Sequence, residues 1–461
     1  EAAVMYAYGT LNYLEYSRTI FFLGDMASET MTTKSDASAD NQDLNNWKVG
    51  NFKTNGSLEN FFKYAFIGVN RANAVIKKVP DAGFSQEQKD LFLGEAYFLR
   101  AWNYFNLVRN FGLVPLHKSV VETVDQTSTA LAPDMDAMYD LILSDCRRAA
   151  ELLPVYETPK IGRADRVAAQ ALAAKAYLYV ASAKEHGVKL YRDMHRDATG
   201  MYDSAAYFAG EVIEKQSVYG FENSLLDIYD VEKARGKEHI FIMAMDRSGS
   251  SEGQYSKISK MFIPYIDGAT LYLKQGDKDE YIPTHDGWGE YQTTVAFYNT
   301  FDASDKRKTE LIVDKVYKAD GTLLGEYPGK IPYPFCRKYI DPKFEGDKTS
   351  TRPFLLRFSD VALIYAEAAG PTAKAYELVN FIRSRAGLGD MKPNLGKDEF
   401  RREILKERTF ELAFEGDHVY DLRRWNRITT DVPEAAGLSE DQVTFYPIPQ
   451  AEINLNGSLR P

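Results

Sequence analysis

Hydrophobic residues recur at helical spacing along much of the chain, most strongly between residues 91 and 115. With 3.6 residues per turn, the apolar side chains of this stretch form one wide stripe along a helix. The stripe is formed by Leu93, Ala96, Tyr97, Ala101, Tyr104, Phe105 and Val108. Gly112 and Pro115 follow as stop signals. The pattern predicts one long amphipathic helix, and we expect its polar positions Glu95 and Arg100 to tie it to neighbouring helices.

The same periodicity predicts further helices, most of them in pairs. They cover residues 58–78, 134–152, 163–182, 204–215, 358–386 and 397–416. The 358–386 helix is broken at Gly370-Pro371, and residues 1–31 also start with a helical pattern. Ser85, with Gln88 three residues later, is a plausible capping box for the 91–115 helix. We therefore expect two antiparallel hairpins, 58–78 with 91–115 and 134–152 with 163–182.

Two stretches lack this periodicity. Residues 32–57 are rich in Ser, Asp, Asn and Thr, and residues 220–351 hold short β-like runs at 239–244 and 311–317 among Gly, Pro, Asp and Tyr. Long irregular segments on a rigid scaffold often carry function. The sequence thus predicts three parts: an N-terminal helical scaffold (1–219) with a polar loop at 32–57, an irregular insertion (220–351) and C-terminal helices (352–461) that complete the scaffold.

Composition and charge narrow the classes of partner. The 461 residues are 44% hydrophobic and 26% charged, as in ordinary globular proteins. A net charge of −10 without a basic run argues against nucleic acid. No apolar run approaches the ~20 residues that span a bilayer. Cys146 and Cys336 are expected to be buried free thiols rather than a disulfide.

Catalytic patterns are absent apart from one glutamate series. Glu407, Glu411 and Glu415 stand four residues apart, and carboxylates at that spacing lie ~6 Å apart on a helix, close to a glycosidase pair. Surrounding arginines would keep all three ionised, which favours a structural network. A helical glycoside hydrolase that uses Glu407 or Glu411 is a competing hypothesis. We predict no catalytic set, no metal site and no cofactor.

Three segments carry a resemblance to a known family. They read LGEAYFLRAWNYFNLVRNFGLVP at 93–115, RFSDVALIYAEA at 357–368 and ILKERTFELAFEGDHVYDLRRW at 404–425. Together with residues 58–78 and the last matching positions near 453, they closely resemble the SusD/RagB family of nutrient-binding lipoproteins of Bacteroidetes. The resemblance implies a mainly α, SusD-like fold with tetratricopeptide-like helix pairs and an irregular, loop-rich insertion with a few short strands. It also implies that the glutamate motif is structural.

The resemblance further implies a function without chemistry. A SusD-like protein binds an oligosaccharide at the cell surface and passes it to a TonB-dependent SusC-like transporter in the outer membrane. Its signal peptide and lipidated cysteine would lie upstream of Glu1, and membrane contact would occur only through that lipid anchor. Two further hypotheses fit the same helices: a protein that binds peptides on this scaffold, and a plain tetratricopeptide interaction scaffold.

Aromatic residues in the two aperiodic stretches are the candidate ligand contacts. Sugar C–H groups stack on aromatic faces, while carboxylate and amide groups bind the hydroxyls. Members of the family bind glycans with an arc of Trp and Tyr drawn from these regions. The candidate residues are Asn45, Trp47, Tyr265, Tyr281, Asp286, Trp288 and Tyr291. A competing interpretation of both tryptophans is that each anchors its loop to the body of the protein.

Overall fold

The computed structural model describes residues 1–276 and 278–459, and within them the protein is mainly helical. The helices of seven or more residues are α1 (Ala2–Tyr8), α2 (Ala39–Asn45), α3 (Gly56–Lys78), α4 (Gln86–Phe111), α5 (Met135–Leu152), α6 (Arg166–Glu185), α7 (Ala198–Glu214), α8 (Phe358–Ala369), α9 (Ala373–Arg385), α10 (Lys397–Glu411) and α11 (His418–Arg424). Shorter helices include Leu14–Ser17, Ile258–Phe262, Val295–Thr300, Lys306–Leu311 and Gln450–Leu455.

The strands are short and antiparallel. They are β1 (Met31–Thr33), β2 (His239–Ile242), β3 (Leu271–Lys274), β4 (Tyr281–Thr284), β5 (Tyr291–Thr293), β6 (Ile312–Val313), β7 (Lys315–Tyr317), β8 (Leu323–Glu326), β9 (Phe335–Cys336) and β10 (Phe354–Arg357). Strands β4, β3, β7 and β8 form a four-stranded sheet in that order. The other sheets are the pairs β1–β5, β2–β10 and β6–β9. The predicted fold class, mainly α with a few short strands in an irregular insertion, is confirmed.

Each long helix packs against the next one in the chain. The pairs α3–α4, α4–α5, α5–α6 and α6–α7 make extensive contacts, as consecutive helix hairpins do. Helix α7 then packs against α8, although the whole insertion separates them in sequence. Both predicted hairpins are therefore confirmed. Helix α8 extends the stack of helices beyond α7.

Helix α4 packs between α3 and α5 in this stack. Ser85 and Gln88 form the predicted capping box, and Gly112 ends the helix with a φ of +68°. Every residue from 94 to 111 is buried, so the polar positions face other helices rather than solvent. Arg100 forms a bidentate pair with Asp145 of α5 at 2.6 and 2.8 Å. Glu95 accepts from the guanidinium of Arg163, just before α6, at 2.5 and 2.6 Å. Because buried charges need such partners, these pairs fix how α4 packs against its neighbours, as predicted.

The hydrophobic core has one large part and two smaller ones. The large cluster runs through α1 and α3 to α8, and a second cluster lies between α8, α9 and α10. The third cluster belongs to the insertion, where side chains such as Leu273, Val316 and Phe335 pack together. Cys146 and Cys336 are buried and free, as expected. No helix among the described residues is long and apolar enough to cross a membrane.

The glutamate series is the centre of a buried charge network. Helix α10 ends at Glu411, earlier than predicted, yet Glu407, Glu411 and Glu415 are all buried together. Arg357 donates to Glu411 at 2.9 Å and to Glu415 at 3.0 Å, and Arg385 donates to Glu411 at 2.7 Å. The members of this Glu411 network are Glu238, Arg307, Lys338, Arg357, Arg385, Glu407, Glu411 and Glu415.

The network explains why these carboxylates are structural. Burial alone would raise the pKa of Glu411, but the guanidinium groups of Arg385, Arg357 and Arg307 lower that pKa to about 2. A glycosidase acid needs the opposite shift and access to its substrate. Glu407 and Glu411 are buried and bound to arginines, so the hydrolase hypothesis fails at these residues.

The N-terminal segment around Gly24 contacts the backbone of Gly416, just after the glutamate series, at close range. A Cβ atom added at Gly24 would overlap the carbonyl group of Gly416, so only glycine allows the approach at position 24. Asp25 accepts a hydrogen bond from the Gly416 amide at 2.6 Å, and Glu29 pairs with His418 at 2.7 Å. The segment that leads into β1 is thereby fixed to the C-terminal motif.

The Glu411 network predicts a large loss of stability when one arginine is removed. In Arg357→Met, Glu238, Glu411 and Glu415 lose a shared buried cation, and breaking a buried pair costs about 3–5 kcal/mol. We expect the free energy of unfolding in urea to fall by that amount. Asp441→Asn breaks an exposed pair with Lys189 and should change it by less than about 1 kcal/mol. Equal effects of the two substitutions would contradict the structural role.

The Glu29–His418 pair predicts a pH dependence. Burial alone would lower the pKa of His418, but the Glu29 carboxylate raises it to about 8. A raised histidine pKa stabilises the folded state below the unfolded value of 6.5, and this contribution of about 2 kcal/mol is lost as pH rises through 8. We expect the free energy of unfolding to decline between pH 6.5 and 9. The decline should flatten in Glu29→Gln and persist in the control His195→Gln, whose side chain is exposed.

Candidate functional site

The two aperiodic stretches of the sequence meet in one place. Strand β1 begins the polar loop and pairs with β5 of the insertion, with Thr33 opposite Tyr291 and Met31 opposite Thr293. The Thr294 amide and hydroxyl extend the pairing by donating to the carbonyl oxygens of residues 30 and 29. Beside this pair lies an open groove of about 450 Å³. We call it the Trp288 groove; its lining includes Arg18, Lys34, Asp36, Asn41, Trp288, Glu290 and Tyr291.

Trp288 stands exposed on a backbone that is fixed on both sides. Its amide donates to the Lys260 carbonyl at 2.7 Å, while the amides of Gly287 and Gly289 donate to Pro264 and Ile263. The neighbouring glycines are buried, but 39% of Trp288 is exposed. Gly287 is required by the close approach, because a Cβ there would overlap the Ile263 carbonyl. A turn whose backbone is held in place therefore presents the indole ring to solvent.

The polar side of the groove is built around Glu290. Its side chain accepts from Asn41 Nδ2 at 3.0 Å and lies 3.7 Å from Lys34 Nζ. Its backbone carbonyl accepts from the Thr33 hydroxyl at 3.1 Å. A carboxylate, an amide and an ammonium group thus face one opening that also holds Trp288. A carboxylate accepts a hydrogen bond from a hydroxyl, an ammonium group donates one to it, and an amide can do both.

Two lysines flank the indole ring. Lys257 Nζ lies 5.6 Å and Lys260 Nζ 5.5 Å from the ring centroid of Trp288, within the range of cation–π attraction. Lys260 also binds Asp347 at 2.6 Å. Neither lysine could be assigned from the sequence, because each reaches the ring through the fold.

Trp47 and Asn45 do not reach the groove. Trp47 is buried, its Nε1–H donates to the Ala27 carbonyl at 3.1 Å, and its ring stacks on that of Tyr446 with the centroids 6.3 Å apart. The amide oxygen of Asn45 accepts from the Thr33 backbone at 3.0 Å. Both residues therefore hold the polar loop in place, which is the anchoring interpretation of Trp47, and neither buried side chain lines the groove.

The four remaining candidate residues differ in their exposure and in the contacts they already make. Tyr291 lines the groove, but its ring is buried and its hydroxyl donates to the Arg18 carbonyl at 3.2 Å. Asp286 accepts from the Gly268 amide at 2.9 Å and so stabilises a turn. Tyr281 packs on a tyrosine of β7 with the ring centroids 5.0 Å apart. Tyr265 is 69% exposed on the segment that binds the Trp288 turn.

Sequence patterns alone pointed to few of the groove's polar residues. Lys34 and Asn41 stand in the polar loop without any aromatic neighbour to mark them. Glu290 carried a weak signal, since it stands two residues after Trp288 in the same aperiodic stretch. Gly289 between them has a φ of +66°, so the turn, and not the period of an extended strand, brings both side chains to the groove. Arg18 precedes both aperiodic stretches, and only the tertiary structure places it at the opening.

Comparisons with known proteins agree with the architecture. The profile of the SusD family matches residues 317–443, and the profile described as starch-binding associating with outer membrane matches residues 7–178. SusD-like protein P2 of Formosa agariphila is 26% identical over an alignment that covers 96% of this chain and 86% of that protein. A SusD-like protein of Bacteroides ovatus is 24% identical, with 79% and 64% covered.

Solved structures show the same fold. A laminarin-binding SusD-like protein superposes with a TM-score of 0.79 at 25% identity, over 99% of this chain and 96% of that one. Surface glycan-binding protein A from Bacteroides thetaiotaomicron, solved with laminarihexaose, gives a TM-score of 0.76 at 20% identity over 100% and 98%. Two family profiles match opposite ends of the chain, and the solved structures superpose over its whole length. This protein therefore belongs to the SusD/RagB family.

Proposed function

We propose that this protein is a cell-surface binding protein that captures an oligosaccharide in the Trp288 groove. The observation that carries the proposal is the exposure of Trp288 on a turn whose backbone is fixed. Its backbone hydrogen bonds fix the turn, yet its indole ring is left open beside Glu290, Lys34 and Asn41. An aromatic surface next to a few placed polar groups is the usual composition of a small-molecule site. Sugar rings need both, one for their C–H faces and the other for their hydroxyls.

The groove has the size and rigidity that such a ligand requires. Its volume of about 450 Å³ lies within the range of ~300–1,000 Å³ for ligand pockets. Both walls are tied together by the β1–β5 pairing, so little ordering is needed on binding. Tyr265, exposed on the adjoining segment, is the second aromatic residue proposed to contact the ligand. Asp286 in the turn and Tyr281 in β4 are proposed as further contacts of the ligand.

The wider role rests on family membership. We propose that the captured oligosaccharide passes to a TonB-dependent SusC-like transporter and that a lipid anchor holds the protein at the outer membrane. The relatives described as binding laminarin or laminarihexaose make laminari-oligosaccharides the first ligands to test. A peptide ligand in the same groove is the second candidate, because an exposed indole and a carboxylate also suit peptide side chains.

Removing the indole ring should strongly weaken the binding of the oligosaccharide. We expect Trp288→Ala to weaken oligosaccharide binding at least about 30-fold, as loss of an aromatic hot spot costs about 2 kcal/mol or more. Isothermal titration against a panel that includes laminarihexaose measures this. Tyr207→Ala is the matched control, because Tyr207 is 62% exposed on α7 and does not line the groove.

The same titration separates the two ligand classes. If wild type binds a peptide but no glycan, and Trp288→Ala abolishes that binding, the peptide candidate replaces the glycan. Equal affinity of wild type and Trp288→Ala for every ligand that binds would show that the groove is not the site.

Binding is expected to proceed without hydrolysis. Glu407 and Glu411 are buried in the Glu411 network, and the pKa of Glu411 is lowered. Incubation of the protein with its bound oligosaccharide should therefore release no reducing ends above a heat-treated control. Sustained turnover that survives repeated purification would overturn the proposed non-catalytic role.

A further inference from the structure

Four cationic side chains lie in or beside the Trp288 groove, and the carboxylates around them equal them in number. Arg18 and Lys34 line the groove, and Lys257 and Lys260 flank the indole ring. Four cations around an aromatic surface would attract a sugar that carries carboxylate or sulfate groups if those cations were free. The partners of these four groups therefore decide which class of oligosaccharide the groove accepts.

Each cation already has a carboxylate partner. Arg18 pairs with Glu252, which also lies 3.5 Å from Lys257. Lys260 and Lys257 lie 2.6 and 3.9 Å from Asp347.

Lys34 completes the set. Its Nζ lies 3.7 Å from Glu290 and 3.6 Å from Asp36. The four cations are thus matched by four carboxylates, namely Glu252, Asp347, Glu290 and Asp36. Two of these acids, Glu290 and Asp36, line the groove themselves.

We infer that the groove selects uncharged oligosaccharides and discriminates against those that carry uronate or sulfate groups; this inference rests on the function proposed above. An anionic sugar would have to lose its hydration and displace an existing carboxylate, or sit against Glu290 and Asp36. Desolvated charges that gain no partner weaken binding. An uncharged sugar exchanges only hydroxyl hydration for hydrogen bonds to Glu290, Lys34 and Asn41.

The charge of the whole chain acts in the same direction. Its net charge of −10 repels a polyanionic chain at distances within the Debye length. Neutral chains approach without that penalty. The local pairing and the overall charge therefore favour the same class of ligand.

Titrations with two kinds of probe test the inference. The neutral probes are laminarihexaose and a panel of uncharged glucan, mannan, xylan and galactan hexamers; the anionic probe is a galacturonic acid hexamer, each at 20 and 300 mM salt. We expect at least one neutral hexamer to bind, with an affinity that changes less than twofold with salt and is lost in Trp288→Ala. The galacturonic acid hexamer should bind wild type at least tenfold more weakly.

A charge variant should shift this preference. Asp347→Asn removes a carboxylate from Lys260 and Lys257, so we expect the ratio of anionic to neutral affinity to rise at least threefold at 20 mM salt and to fall back at 300 mM. Asp441→Asn removes a surface carboxylate that pairs with Lys189 outside the groove, and it should leave the ratio unchanged. An unchanged ratio in Asp347→Asn would overturn the role given to these pairs.

The possible failures are distinguishable. Salt-sensitive binding of the galacturonic acid hexamer to wild type that exceeds every neutral affinity, and that depends on Trp288, overturns the inference and leaves the proposed function standing. If no hexamer of either class binds at millimolar concentration, the proposed function fails, and the inference fails with it.

Discussion

Buried charge that must be paired is the constraint on which the rest of this structure depends. Arg357 lies immediately before α8 and reaches Glu411 and Glu415, while Arg385 at the end of α9 reaches the same Glu411. Each ion leaves water on folding, and its stability requires partners that come from other elements. The Glu411 network therefore fixes the C-terminal helices, β2 and the insertion in one relative arrangement.

The geometry of the Trp288 groove depends on this arrangement. The Gly24–Gly416 contact and the Glu29–His418 pair fix the segment that leads into β1. Strand β1 then pairs with β5, which follows the Trp288 turn. Residues far apart in sequence, from the N-terminal turn to the C-terminal motif, thus hold one exposed indole in position. The aperiodic segments carry the proposed function, and the helical scaffold and its buried charges supply the rigidity.

The charged residues of the Glu411 network and those around the Trp288 groove have different roles. In the Glu411 network the arginines and glutamates are buried, and the pKa of Glu411 is lowered because several guanidinium groups surround it. Around Trp288 the ion pairs are partly exposed, with 45% of the Asp347 side chain in solvent. Pairs of this kind contribute little to stability. Their consequence is instead electrostatic, because they cancel charge beside the proposed ligand surface.

The sequence alone determined the helices, their pairing and the position of the two irregular stretches. These features follow from local periodicity and capping, as with Ser85, Gln88 and Gly112 around α4. It also favoured a structural role for Glu95, Arg100 and the glutamate series, because buried charges pair with opposite charges nearby. The burial of Glu407 and Glu411, which counts against the hydrolase hypothesis, is set by the tertiary structure. Trp288 could be nominated from its irregular, polar surroundings.

Only the tertiary structure decided which tryptophan is available to a ligand. Trp47 and Trp288 stand in similar sequence contexts, but Tyr446, nearly 400 positions away, covers the first. The addition of Lys34, Asn41, Arg18 and Glu290 to the groove likewise depends on the β1–β5 pairing. Local patterns fix backbone conformation, whereas exposure and charge balance are set by residues distant in the chain, which no local pattern records.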